Sequence, residues 1–112
     1  MTDQAYKQKA LIVGTVSDEL VKGLLDRGFD ARRSESLDPM HIGQEAWDEN
    51  RVVIVDSQQL GWMIFQNCRS PRVLKLDDFQ DEELVTAAAQ MLSSSQLSQY
   101  NAFVNLKAAP SH

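Results

Sequence analysis

The chain has 112 residues, 43% of them hydrophobic and 24% charged, with a formal net charge of −5. That length and apolar content suit one domain with a real core and exclude a disordered chain. A negative balance with 11 scattered basic residues excludes a nucleic-acid surface, whose affinity comes from clustered Lys and Arg. Cys68 is the single cysteine, and His41 and His112 lie far apart. An intrachain disulfide, a multi-cysteine metal site and a Cys–His catalytic pair are therefore not expected. The N-terminal MTDQAYKQK lacks the apolar core of a signal peptide, and no window approaches a membrane span. The expectation is a soluble, cytoplasmic domain without cofactor, nucleic-acid partner or membrane contact.

Short apolar runs alternate with helix-like segments, the pattern of a parallel α/β sheet. KALIVG, Lys9–Gly14, predicts a first buried strand. Ser17 is a good N-cap, with Asp18 and Glu19 in the first turn where the helix dipole favours anions. Leu20, Val21, Leu24 and Leu25 give that helix one apolar face, and Gly28 supplies a left-handed C-cap. FDARR, Phe29–Arg33, predicts a short strand whose polar residues suit a sheet edge. Asp38-Pro39 is an N-cap followed by proline at the first helical position. The helix through Met40, Ile42, Ala46 and Trp47 is weakened by Gly43. RVVIVD, Arg51–Asp56, predicts a third strand, buried on both faces and therefore central.

Leu60, Met63, Ile64 and Cys68 fall on one side of a third helix, which Pro71 ends. RVLKL, Arg72–Leu76, predicts a fourth strand. DDFQDEEL then opens a fourth helix, its acids Asp77, Asp78, Asp81, Glu82 and Glu83 crowding the N-terminal end as a solvated helix start. QLSQYNAFVNLK carries Leu97, Tyr100, Phe103, Val104 and Lys107 at helical spacing, which predicts a docked or dimerising helix. The plan is a polar tail over residues 1–8, an α/β domain over 9–94, an amphipathic helix over 95–107 and a tail over 108–112. The expected fold is a three-layer α/β sandwich, flavodoxin-like, around a short, mostly parallel sheet of about four strands. Right-handed crossovers would place the helix N-termini at the carboxyl ends of the strands. Ligands of open α/β sheets bind at that edge, so Gly14, Thr15 and Asp56 are expected to meet there.

The turn GTVSD has one glycine, which argues against a dinucleotide site, and no Walker or nucleophile-elbow motif occurs. Asp56 has two readings: a candidate phosphoacceptor, or the end of a strand where it or Ser57 caps the next helix. Thr15 and Lys75 are candidate contacts for a small anion beside it. Trp62 and Phe65, at helical spacing, predict an exposed aromatic pair marking a partner surface.

LIVGTVSDELVKGLLDRGFDARR followed by VVIVD resembles the receiver domains of bacterial two-component response regulators, over roughly residues 9–92. The resemblance implies a strand–helix–edge-strand opening and a third strand whose terminal aspartate, here Asp56, takes the phosphoryl group. The departures point to a degenerate, or pseudo-, receiver. Receivers carry a Mg²⁺-binding acidic pair after the first strand, where this chain has Gly14 and Thr15. The family's hydroxyl residue after its fourth strand is replaced by Asp77. RVLKL is either the fourth strand, or the fifth with Lys75 in place of the family's lysine.

The expected function is a non-enzymatic signalling or regulatory module acting through protein–protein contacts, as the regulatory part of a larger bacterial regulator. Its partner would be another protein or a second copy, docked on Trp62 and Phe65 or on the helix bearing Leu97, Tyr100, Phe103 and Val104. The alternative is a phosphoryl-accepting or small-anion-binding protein using Asp56.

Overall fold

The computed structural model describes residues 8–14, 16–68, 71–76, 81–93 and 102–106. Among these residues the elements, in chain order, are β1 (Lys9–Ile12), α1 (Asp18–Asp26), β2 (Ala31–Arg33), α2 (Pro39–Glu49), β3 (Arg51–Val55), α3 (Gln58–Asn67), β4 (Arg72–Leu76), α4 (Asp81–Leu92) and β5 (Ala102–Leu106). The strands form one sheet in the order β2-β1-β3-β4-β5, and every neighbouring pair is parallel. The α/β sandwich expected from the sequence is therefore present, with a fifth strand and no antiparallel member.

Local chemistry sets the element ends. The Ser17 hydroxyl accepts from the Glu19 N–H at 3.0 Å, and the Asp38 carboxylate accepts from the Met40 N–H at 3.2 Å ahead of Pro39. Each satisfies a donor that the first helical turn leaves without an intrahelical partner. The central strand β3 is buried along its whole length, as its β-branched run predicts. It begins on Arg51, which is 8% exposed. Its guanidinium donates to the carbonyls of Ala10 (3.1 Å) and Asp30 (2.9 Å) and pairs with Glu49, Nε to Oε1 at 2.6 Å. Burial of that charge is tolerable because these oxygens replace water.

Alternation along the strands divides the apolar side chains into two cores. On one face Ala10, Ile12, Val52, Ile54, Leu74 and Leu76 pack with Leu20 and Leu24 of α1 and with Leu84, Val85, Ala88 and Leu92 of α4. On the other, Leu11, Val13, Val53, Val55 and Val73 pack with Ile42 and Ala46 of α2 and Ile64 of α3. The layers are thus α1 and α4 on one side, α2 and α3 on the other.

This arrangement fixes the hand of every crossover relative to the others. From β1 to β2 the chain moves one way along the sheet over the α1 face. From β2 to β3 and from β3 to β4 it moves the other way over the α2–α3 face, so those three connections share one hand. From β4 to β5 the strand order keeps moving in that second direction, but the described part of the connection, α4, lies on the α1 face. The fourth crossover therefore has the opposite hand. About 98% of such parallel connections are right-handed, so the three that agree are expected to be right-handed and the one bearing α4 left-handed. The sequence-based expectation of uniformly right-handed crossovers is corrected accordingly. Gly23 of α1 makes the exceptional placement of α4 possible: a Cβ there would stand 2.6 Å from both methyl carbons of Val85. The absence of a side chain lets the two helices approach closely enough to share one core.

Two further expectations change. Residues 102–106 form a strand rather than part of a helix, with Phe103 registered on Val73 and Val104 on Leu74 of β4. The ladder with β4 outweighs the helical spacing of the apolar residues, because backbone pairing satisfies every inward-facing amide. Leu97, Tyr100 and the remainder of the expected helix lie outside the described residues. Gln8, assigned to a polar tail, is buried: its N–H donates to the Leu92 carbonyl at 3.2 Å and its Oε1 accepts from Arg72 Nη1 at 2.8 Å.

Candidate functional site

Two places carry the residues singled out from sequence. The first is the carboxyl edge of the sheet. Gly14 follows β1 with φ of +76°, a conformation that glycine adopts without a steric penalty. A Cβ on it would lie 3.7 Å from Asp56 Oδ1 and 3.9 Å from Leu60 Cδ2, so the turn after β1 does meet the residue after β3. Asp56 is exposed, and the cap of α3 is Ser57, whose hydroxyl accepts from the Leu60 N–H at 3.2 Å. Asp56 therefore ends the strand, while its neighbour starts the helix. Thr15 lies outside the described residues.

Lys75 is registered on Val55 in β3 and on Asn105 in β5, one residue short of the end of β4. Alternation places it on the α2–α3 face with Val73. Arg33, which sequence reasoning left as a solvated edge, is the basic residue at the turn after β1. Its guanidinium donates to the carbonyls of Gly14 (2.9 Å) and Val16 and pairs with Asp18 at 2.8 Å. It pins that turn from β2. Among the described residues no group of His, Cys, Asp and Glu is arranged to hold a metal ion.

The second place is the β5 end of the α2–α3 face. Trp62 and Phe65 of α3 stack with ring centroids 5.5 Å apart and an interplanar angle of 17°. The ring of Phe103 meets both edge-on, at 5.6 Å from each. Such offset and edge-to-face contacts suit the ring quadrupole. A Cβ on Gly61 would be 3.0 Å from a Val55 methyl carbon and 3.4 Å from the Phe103 ring, so the glycine lets α3 sit close over Val55 with the ring alongside. Phe65 and Phe103 are half-buried against the core, whereas Trp62 is 45% and Met63 41% exposed. The expected exposed Trp–Phe pair is thus a three-ring cluster with one ring outward. Phe103 joins it from the strand that sequence reasoning read as helix. Val104 points to the opposite face and packs against the α1–α4 core.

The topology explains why these rings are open. A right-handed β4-to-β5 connection would lay its helix over this half of the sheet. Since α4 crosses on the other face, Trp62 and Phe65 are what the described residues offer to cover Phe103. The surrounding surface is also chemically distinctive. Every residue of α3 is uncharged, QQLGWMIFQN, and so is β5, AFVNL, in a chain with 24% charged residues. Lys75 of β4, beside Asn105, is on this face, while the described ion pairs lie elsewhere, as in the network of Arg32 with Glu45 and Glu49 and of Arg51 with Glu49 and Asp30.

Comparison of the chain with protein-family models, with curated proteins and with solved structures finds no match.

Proposed function

We propose that this protein is a non-enzymatic regulatory module that works by protein–protein contact, with its docking face on Trp62, Met63, Phe65 and Phe103. The observation that carries this is the three-ring cluster on the half of the sheet that α4 leaves uncovered. Exposed aromatic anchors beside apolar side chains supply large contact area at little entropic cost, which is how protein interfaces concentrate their energy. Neither α3 nor β5 brings a charged side chain of its own to this face, so docking on these two elements desolvates none of theirs. The degenerate receiver resemblance agrees with this role, since domains of that kind keep partner-binding faces without phosphotransfer.

The test is a photo-activated cross-linking residue placed at Met63 in the full chain, with a control at Leu37, which is exposed on another part of the surface. A discrete adduct from position 63 alone is the expected result. No adduct, or the same adducts from both positions, would remove the docking face.

A second reading is favoured by one observation, the approach of Asp56 Oδ1 to the turn at Gly14 on the carboxyl edge. In it Asp56 accepts a phosphoryl group or helps bind a small anion, with Thr15 and Lys75 as the further candidates. Addition of Mg²⁺ and beryllofluoride, followed by amide chemical shifts, decides it. An unchanged spectrum around Asp56 eliminates this role.

A further inference from the structure

Among the described residues the sheet ends on two edge strands, β2 and β5, and they differ in kind. The β2 edge is three residues long, and two of them are Arg32 and Arg33, both engaged in ion pairs. Charges and short length are the usual ways in which a protein prevents another strand from pairing there. The β5 edge is five residues long, has no charge and carries no proline. It borders the uncharged helix α3 and the aromatic cluster. Among the described residues it has neither the charges nor the short length that guard β2, and no strand paired outside it.

The hydrogen bonds show which β5 groups face outward. The Ala102 N–H donates to the Pro71 carbonyl at 3.0 Å, so Ala102 is bonded toward β4. In a parallel ladder the residues bonded to one neighbour alternate with those directed away from it. Val104 therefore also faces β4 with its backbone groups, and those of Phe103 and Asn105 point to the open edge.

We infer that a second copy of this chain pairs with the first through β5, antiparallel, about a two-fold axis at Val104. In this register Phe103 of each copy lies opposite Asn105 of the other. Those two residues exchange N–H···O bonds in both directions, which satisfies all the outward groups of Phe103 and Asn105 at once. Val104 meets Val104 of the second copy as the closer, non-hydrogen-bonded pair. The contact is isologous and self-closing, as a two-fold requires.

Charge distribution leaves this border as the place where two copies can approach with least repulsion. Each chain has a net charge of −5, so most faces of two copies repel. The α3–β5 border places no like charges together, because it has none. Its amides, Gln66, Asn67 and Asn105, are both donors and acceptors and can complement themselves. The axis stands perpendicular to the sheet, so the two Trp62–Phe65–Phe103 clusters fall on the same side of one continuous sheet. This inference rests on the reading of the α3–β5 border as a contact surface and places the second copy at its β5 edge.

Sedimentation velocity over a concentration series on the full chain tests it, with two variants. Asn105→Pro removes an outward N–H without touching a bond to β4, and Asn105→Lys places a guarding charge on an exposed side chain while retaining the amide. The wild type is expected to sediment as a dimer. Either variant, with the wild-type circular dichroism spectrum, is expected to shift to monomer or to raise the dissociation constant at least about tenfold. A wild type that stays monomeric at every concentration overturns the inference, as does a dimer that survives in both variants. If the wild type is monomeric yet cross-links from Met63 to a different protein, self-pairing fails while the docking face stands. If neither occurs, both fail.

Discussion

Gly23 of α1 and Val85 of α4 meet so closely that a Cβ on the glycine would lie 2.6 Å from the valine methyl carbons. On an isolated helix, Gly→Ala stabilises by about 1 kcal/mol. Overpacking at a close crossing costs about 1–3 kcal/mol. Gly23→Ala is therefore expected to lower net stability, read as a lower urea midpoint at unchanged slope. A gain close to the helix-propensity value would mean that α4 does not dock on α1, and the hand of the fourth crossover would have to be revised.

Gly43 makes a similar allowance in α2. A Cβ there would stand 1.9 Å from Cys68 Sγ and 2.5 Å from its Cβ. Gly43→Ala is expected to cost about 1–3 kcal/mol. Cys68→Gly, which vacates the space, should recover part of that loss in a double-mutant cycle, with a coupling of about 0.5–3 kcal/mol. Purely additive losses would show that the two residues are not in contact. The thiol itself is half-buried, donates to the Pro39 carbonyl, and is pushed up in pKa by burial. Alkylation at neutral pH is expected to be slow in the folded protein and fast once it unfolds.

Glu49 supplies the pH dependence. Its carboxylate accepts from Arg32 Nε at 3.0 Å and Nη2 at 2.9 Å, and from Arg51 Nε at 2.6 Å. The hydrogen bond from Arg32, then that from Arg51, holds its pKa at about 2, below the usual 4.5. A carboxylate whose pKa is depressed by folding stabilises the native state above its unfolded pKa, and that contribution disappears as the pH falls through the folded value. The window thus lies between about pH 4.5 and 2. Glu49→Gln is expected to flatten the fall in stability across that window in acid titrations followed by circular dichroism. An unchanged acid limb would show that the pairing contributes nothing.

Trp62 and Phe103 touch edge-on yet should respond differently to truncation. Trp62→Ala removes an exposed ring and is expected to cost only about 1 kcal/mol, the scale of an aromatic pair. Phe103→Ala opens the core beside Gly61 and should cost more, about 3 kcal/mol. Urea titrations of the two variants compare them. Equal and large losses would make Trp62 a core residue rather than a docking residue.

Much of this architecture is legible in the chain. Runs such as VVIV and RVLKL announce β3 and β4, and Ser17, Asp38 and Ser57 announce the helices that follow β1, β2 and β3. The meeting of Gly14 with Asp56 follows from strand order alone. β5 is not legible, because AFVNL is short and the segment containing it spaces Leu97, Tyr100, Phe103 and Val104 as a helix would. Only the ladder with β4 decides between the two. Nor does any residue declare which face α4 covers: that depends on Gly23, which in isolation reads as a weak point in α1. The burial of Arg51 and Arg72 is equally hidden, since the oxygens that accept from them, on Ala10, Asp30, Gln8 and Asn50, are distant in sequence.

The absence of any titratable side chain from Gln58 to Asn67 in α3, and from Ala102 to Leu106 in β5, has a consequence for regulation. A contact made there takes up no proton and releases none, and it has no Coulombic attraction for salt to screen. For two copies, each with a net charge of −5, added salt should tighten such a contact rather than loosen it, by screening the repulsion between the rest of the two molecules. Ionic strength, protein concentration and competition for the same edge are then the levers that act on it.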